Sequence, residues 1–186
     1  GSGVFMTDIT IDNCVISEVG TDGYGMINFG KNIDQLEKVS ITNSTLINIG
    51  DQLMDVKGGI GDVILENCTF YNVIGASRYF LDCQNIAPTI KLTNLIFAKA
   101  NTAVLAEGVW TSTSRGVRAN STPTISGVYF TADFVFGSNA FKPTYEYNNT
   151  SENLFTDPEN GNFTIKDSSF DGKNSAGDPR WYMSAE

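Results

Sequence analysis

The feature that most restricts this chain is a phrase that keeps returning along it: apolar, polar, apolar, any residue, asparagine, then a short apolar run. It reads Ile9-Thr10-Ile11-Asp12-Asn13-Cys14-Val15-Ile16, then Val39-Ser40-Ile41-Thr42-Asn43-Ser44-Thr45-Leu46. It returns as Val63-Ile64-Leu65-Glu66-Asn67-Cys68-Thr69-Phe70 and as Ile90-Lys91-Leu92-Thr93-Asn94-Leu95-Ile96-Phe97. Degenerate copies follow at Ile125 to Phe130 and Phe163 to Phe170. The asparagines stand 30, 24 and 27 residues apart, and a period of that length belongs to a solenoid, a propeller or an array. Alternation with period two makes each phrase a strand with one face inward, and no stretch sustains a helical period.

An asparagine held between two short strands suits a tight corner, because its side chain tolerates the left-handed backbone region and bonds locally. Stacked corners would set Asn13, Asn43, Asn67 and Asn94 in a ladder. Three residues further on, Ile16, Leu46, Phe70, Phe97, Phe130 and Phe170 would stack as an interior column. A second strand repeats in step: Met26-Ile27-Asn28-Phe29, Leu53-Met54-Asp55-Val56, Phe80-Leu81-Asp82-Cys83 and Val104-Leu105-Ala106-Glu107. Each turn thus needs at least three strands. Propeller blades of about 40 residues are too long for this period, and the leucine-rich phrase is missing.

The expected fold is all-β, a right-handed parallel β-helix of about five to six coils. It forms one domain over 1–186, with regular coils over 4–130, an irregular excursion over 131–161, and a last coil and C-terminal cap over 162–186. In that cap Trp181 covers the open end, with Asp178 and Arg180 paired beneath it. Gly1-Ser2-Gly3 reads as a cloning remnant, and we expect the chain to be the C-terminal part of a longer protein.

Composition removes several chemistries. The chain has no histidine, so triads and histidine–zinc sites are excluded. With 12 basic and 21 acidic residues, a net charge of −9 gives no footprint for nucleic acid or anionic lipid. No apolar run reaches the ~18 residues of a membrane helix, and a monomer is expected. Cys14, Cys68 and Cys83 lack metal-type spacing. Cys14 and Cys68 should lie two coils, about 10 Å, apart, beyond disulfide reach, so all three are expected as buried free thiols.

The Ile-x-Ile-x-Asn-Cys-x-Phe coils resemble the pectate-lyase-like β-helix superfamily. The passage from Phe155-Thr156-Asp157-Pro158 through Asn162-Phe163-Thr164-Ile165 to Gly177-Asp178-Pro179-Arg180-Trp181 is similar to the C-terminus of β-helix surface lipoproteins of gut Bacteroidetes. That resemblance implies an exported protein encoded among polysaccharide-uptake systems. It implies no defined chemistry, since the superfamily holds lyases, hydrolases and non-catalytic members.

Two groups of side chains are candidate sites. Outward-facing Asn28, Asp55 and Asp82 would form a polar ladder that serves as a solvated strand face, as Ca2+ ligands or as an acid–base pair. Lys57 and Arg78 are the nearest basic residues, so Asp55, Asp82, Lys57 and Arg78 are the catalytic candidates. No motif calls for a cofactor or metal, and Ca2+ on this face stays open. The second group is Trp110, Arg115, Tyr145 and Tyr147, which fall where the repeat lapses. Rings with polar neighbours suit a sugar, whose apolar face stacks while its hydroxyls bond. The expected function is an extracellular or cell-surface glycan-binding or glycan-scaffolding domain without catalysis. The alternatives are a lyase or hydrolase of acidic glycans and a structural stalk or adhesin.

Overall fold

A computed structural model describes residues 2–20, 23–100, 102–106 and 109–183. The chain forms an all-β parallel solenoid. Three turns run in one order without interruption: β1 (Phe5–Asp12), β2 (Val15–Ser17), β3 (Ile27–Phe29); β4 (Gln35–Thr42), β5 (Thr45–Ile47), β6 (Met54–Val56); β7 (Gly59–Glu66), β8 (Thr69–Tyr71), β9 (Tyr79–Asp82). Like strands of successive turns pair in parallel and build three sheets. The first is completed by β10 (Thr89–Thr93) and β15 (Thr124–Ser126), and the second by β11 (Ile96–Ala98), β16 (Tyr129–Thr131) and β17 (Tyr145–Tyr147).

The third sheet is where the fourth turn departs from the sequence expectation. Thr102–Ala106 (β12) does not continue the series of Asn28, Asp55 and Asp82. It folds back antiparallel on β13 (Val109–Ser112), with Val104 opposite Trp110. The place in the sheet passes to β14 (Arg115–Arg118), which pairs in parallel with β9. Glu107 lies outside the described residues.

Left-handed backbone turns the chain between the first two strands. Asn13, Asn43, Asn67 and Asn94 have φ of 54°, 48°, 52° and 53°, a region asparagine enters at little cost. Asn94 Nδ2 donates to Asn67 Oδ1 at 3.0 Å and Asn67 Nδ2 to Asn43 Oδ1 at 3.1 Å. Below that, Asn43 Nδ2 turns to Asp12 Oδ1 at 2.8 Å, and Asn13 Oδ1 instead accepts from Arg180. The next corner is Gly127, whose φ is 65°; a Cβ there would lie 2.4 Å from Asn94 Oδ1. A second corner is built alike at Glu18, Asn48, Asn72 and Lys99, all with positive φ. There Asn72 Nδ2 donates to Asn48 Oδ1 at 2.8 Å and Asn48 Nδ2 to Glu18 Oε1 at 2.5 Å.

Ile16, Leu46, Phe70, Phe97 and Phe130 stand in register on successive strands of the second sheet. Phe70 and Phe97 stack at 4.8 Å. Phe170 does not extend this column, because Glu146 takes the position opposite Phe130. Phe134, Phe136 and Phe141 instead cover that end of the interior, each with its ring against Phe97 or Phe130.

Phe170 belongs to a second core on the outer face of the second sheet. There Tyr71, Ile96, Tyr129 and Tyr147 are covered by Leu154, Phe155, Phe163 and Phe170. The covering chain comprises a helical turn α1 (Ser151–Leu154) and an antiparallel pair, β18 (Phe155–Asp157) with β19 (Asn162–Ile165). The expected last coil is therefore a hairpin laid across the sheet. Trp181 is not over the end of the solenoid: its Nε1 donates to Thr45 Oγ1 of the second turn at 2.8 Å. Asp178 and Arg180 are paired at 2.8 Å.

The three cysteines are free thiols; Cys68 and Cys83 are buried, whereas Cys14 is half-exposed at the corner between the edge strands β1 and β2. Burial pushes the Cys68 and Cys83 thiols up to about 12. No helix among the described residues is long and apolar enough to cross a membrane.

Candidate functional site

Alternation within the third sheet aims a polar column outward. In β3 and β6, Ile27, Phe29, Met54 and Val56 are buried while Asn28 and Asp55 between them face out. Asn28, Asp55, Asp82 and Arg118 stand opposite one another on β3, β6, β9 and β14. Arg118 grips Asp82 with both arms of its fork: Nε donates to Oδ1 at 2.7 Å, and the second nitrogen donates to Oδ2. The bond to Asp82 raises the Arg118 pKa, opposed by burial.

Asp55 is held less tightly. Lys57 Nζ lies 3.8 Å from Oδ2, and Oδ1 is buried without a hydrogen-bond partner. Burial raises its pKa, with Lys57 opposing and the charge of Asp82 adding to the rise. Arg78 is not in this column: its Nε pairs with Asp51 Oδ1 at 2.5 Å. Asp51, buried where Asp55 is half-buried, has its pKa raised by burial against the pull of Arg78.

A Ca2+ ion takes six to eight oxygens. Asp82 already gives both of its oxygens to Arg118, and no group of three or more metal-type side chains occurs among the described residues.

Beside the column, Tyr79 stands opposite Arg115. The Arg115 and Arg118 guanidinium carbons lie 5.2 and 4.6 Å from the Tyr79 ring centre, within cation–π range.

The second candidate region is at the far end of the solenoid. A cavity of about 690 Å3 is walled by Trp110 of β13 and by Phe130, Phe134, Phe136 and Phe141, with Lys142, Glu146, Asn148 and Asn149 around it. A hollow of about 640 Å3 on the other side of β17 is bounded by Tyr129, Tyr145 and Phe170. Tyr145 is 53% exposed and lies against Tyr129 at 4.9 Å. Tyr147 borders both spaces but is only 8% exposed, with its hydroxyl donating to Asp167. Burial pushes its pKa up to about 12.

The four residues expected to form one sugar site are therefore divided. Trp110 and Tyr147 meet at the cavity, Tyr145 faces the neighbouring hollow, and Arg115 stands on the third sheet. The physical cause is β14, which carries Arg115 into the sheet instead of leaving it in a loop. Sequence reasoning missed Tyr79 and Arg118 as members of the polar face. Their signal was present, since Arg115-Gly116-Val117-Arg118 imitates the strand Tyr79-Phe80-Leu81-Asp82, but the inserted hairpin stretched the spacing.

Compared with known proteins, residues 63–181 match the model of a family described as a domain of unknown function, DUF5123. The match begins in β7 and runs through the antiparallel pair to Trp181. No curated protein and no solved structure matches the chain.

Proposed function

The chain belongs to the DUF5123 family, and we propose that it is a glycan-binding domain without chemistry of its own. In this reading it works outside the cell or on a bacterial surface, as part of a longer exported protein. It is monomeric and does not itself enter the membrane. The supporting observation is the end cavity, where Trp110 and a phenylalanine cluster meet amides and charges from Lys142 to Asn149. Rings of this kind cover the apolar face of a sugar while amides take its hydroxyls. The volume, about 690 Å3, suits a ligand of a few sugar units.

The same reading takes the solenoid as a right-handed β-helix of about five to six coils, with an asparagine ladder and a C-terminal cap, related to the pectate-lyase-like superfamily. It is supported by the parallel stacking of the three sheets and by the side-chain bonds between Asn43, Asn67 and Asn94.

A glycan array followed by calorimetry tests the proposal. Stacking contributes about 1 kcal/mol beyond area burial, so dissociation constants from micromolar to millimolar are expected, with multivalency on a polymer compensating. Trp110→Ala should weaken binding at least severalfold and leave Tm nearly unchanged. If it lowers Tm by many degrees without a binding defect at lower temperature, the ring is a structural cover.

A second reading is a lyase or hydrolase acting through Asp55 and Asp82. What favours it is a buried Asp55 oxygen without a partner, adjacent to a carboxylate that Arg118 holds. Unsaturated uronate seen by its absorbance, or new reducing ends, would establish catalysis. With neither turnover nor binding, the domain is a stalk.

A further inference from the structure

We infer that Arg115, set on Tyr79 beside Arg118, is the position that takes the carboxylate of an acidic sugar on the outer face of the third sheet. This rests on the glycan-binding reading and names the class of glycan.

The chain contains four arginines. Arg78 is paired with Asp51, Arg118 with Asp82 and Arg180 with Asp178. Arg115 has no carboxylate partner among the described residues; its side-chain hydrogen bond is a long one, 3.3 Å, to the Tyr79 hydroxyl. Among the described residues, Lys57, Arg78, Arg115 and Arg118 on this face meet Asp51, Asp55 and Asp82, and the first, second and fourth of these cations each serve one of those acids. Among the described residues the surplus positive charge is therefore at Arg115, in a chain whose net charge is −9.

The backbone that carries this guanidinium is also held in place. Arg115 N donates to Arg78 O at 2.7 Å on one side, and Gly116 N donates to Ser138 O at 2.9 Å on the other. That close approach requires glycine, since a Cβ on Gly116 would lie 2.1 Å from Asn139 O. Stacking on Tyr79 removes water from one face of the fork, while the half-exposed side chain leaves donors for a ligand. A planar, partly desolvated guanidinium on a rigid strand recognises a planar carboxylate by two parallel hydrogen bonds, and the preorganised backbone lowers the entropic cost of binding.

The probes are neutral oligosaccharides of the gluco, galacto and manno series and the same chains oxidised at C6 to uronates, titrated by calorimetry at low and at physiological salt. The uronate member of at least one series should bind about fivefold or more tightly than its neutral parent, with the preference shrinking as salt rises. Arg115→Gln should abolish the preference, and Arg115→Lys should retain only part of it. Circular dichroism and Tm establish that both variants are folded.

Equal binding of uronate and neutral chains would overturn this inference and leave the glycan reading standing. So would a preference that survives in Arg115→Gln. If no chain of any series binds, both ideas fail. An oligoglutamate that binds as tightly as the uronates would assign the face to an acidic protein partner, against the inference.

Discussion

Arg118 stands directly opposite Asp82 on the neighbouring strand and holds both of its carboxylate oxygens. Asp82 is 5% exposed, so Arg118 rather than water supplies most of its carboxylate's hydrogen bonds. The pair also closes the outward column, which runs from the neutral amide of Asn28 through the carboxylates of Asp55 and Asp82. The strand β14, which follows the hairpin inserted after β11, thus supplies the cation that pairs with a buried aspartate in the third sheet.

Removing the arginine should cost more than removing both partners. Arg118→Gln leaves Asp82 buried without its ion pair, a loss of about 1–3 kcal/mol, or roughly 2–10 °C in Tm for a domain of this size. Asp82→Asn combined with Arg118→Gln should recover part of that loss. Thermal unfolding of the two single variants and the double variant decides it, and a double variant no more stable than Arg118→Gln alone contradicts the arrangement.

Asp55 should penalise folding at neutral pH. Burial raises its folded pKa above the ordinary carboxylate range, so the folded state binds a proton more readily than the unfolded state. Its stabilising contribution is full below the unfolded pKa, declines as pH rises through the folded pKa, and is absent above both. Asp55→Asn should therefore raise Tm at pH 7, with a smaller gain as the pH is lowered toward 4. Asp51, raised for the same reason against Arg78, contributes in the same direction, and the comparison is best made in a single-site variant series. A gain that grows on acidification would show that Asp55 is held ionised in the fold.

The corner at Asn67 combines two demands that few side chains meet. Its φ is 52°, and its amide donates to Asn43 while its carbonyl accepts from Asn94. Asn67→Ala loses both bonds and adds left-handed strain, together about 2–4 kcal/mol. Asn67→Gly removes the same bonds but relieves the strain, so it should be the more stable of the two by chemical denaturation. Equal destabilisation would mean that the backbone conformation contributes nothing.

What the sequence made legible is what period and alternation encode. The phrases ending at Asn43, Asn67 and Asn94 fall at corners with left-handed φ, and Ile16 to Phe130 stack in register. The alignment of Asn28, Asp55 and Asp82 was also readable, because one residue inward on either side is apolar. The reading stopped where the chain leaves the repeat. Val104 has the alternation of a strand whether it joins a sheet or a hairpin, and Phe163-Thr164-Ile165 has the same pattern whether it is a coil or a strand laid across one. Tyr147 resembles an exposed ring in sequence, yet its hydroxyl meets Asp167, a contact set by the tertiary fold. The glutamate-and-asparagine corner at Glu18, Asn48 and Asn72 carries no phrase as regular as the first.

Thiol reactivity should separate one cysteine from two. Cys68 and Cys83 are buried with pKa values pushed up to about 12, so few of them are thiolates at neutral pH, and thiolate is the reacting form. Cys14 is half-exposed at the corner between the edge strands β1 and β2. Iodoacetamide should modify Cys14 first under native conditions and all three after denaturation, as read by mass spectrometry of the peptides. Native labelling of Cys68 at the rate of Cys14 would require that the second and third turns open.

Asp178 should govern whether the C-terminal segment stays on the second sheet. Its carboxylate is buried, accepting from Thr45 Oγ1 at 2.7 Å and pairing with Arg180 at 2.8 Å, while its own N–H donates to Thr69 Oγ1 at 3.0 Å. Thr45 Oγ1 in turn accepts from Trp181 Nε1, so one aspartate and two threonines join two turns of the solenoid to the tail. Asp178→Ala leaves these donors under the tail without their acceptor, a cost of about 1–3 kcal/mol. Because Trp181 rests on the same threonine and against Phe163 at 6.0 Å, its fluorescence should shift to the red as the tail loosens. Thr45→Ala acts on the same contact from the other side. The two substitutions should therefore be non-additive, with the double variant less destabilised than the sum of the singles. Strict additivity in Tm, or a tryptophan emission that does not move, would show that the tail is held by the Phe155 and Phe163 packing alone.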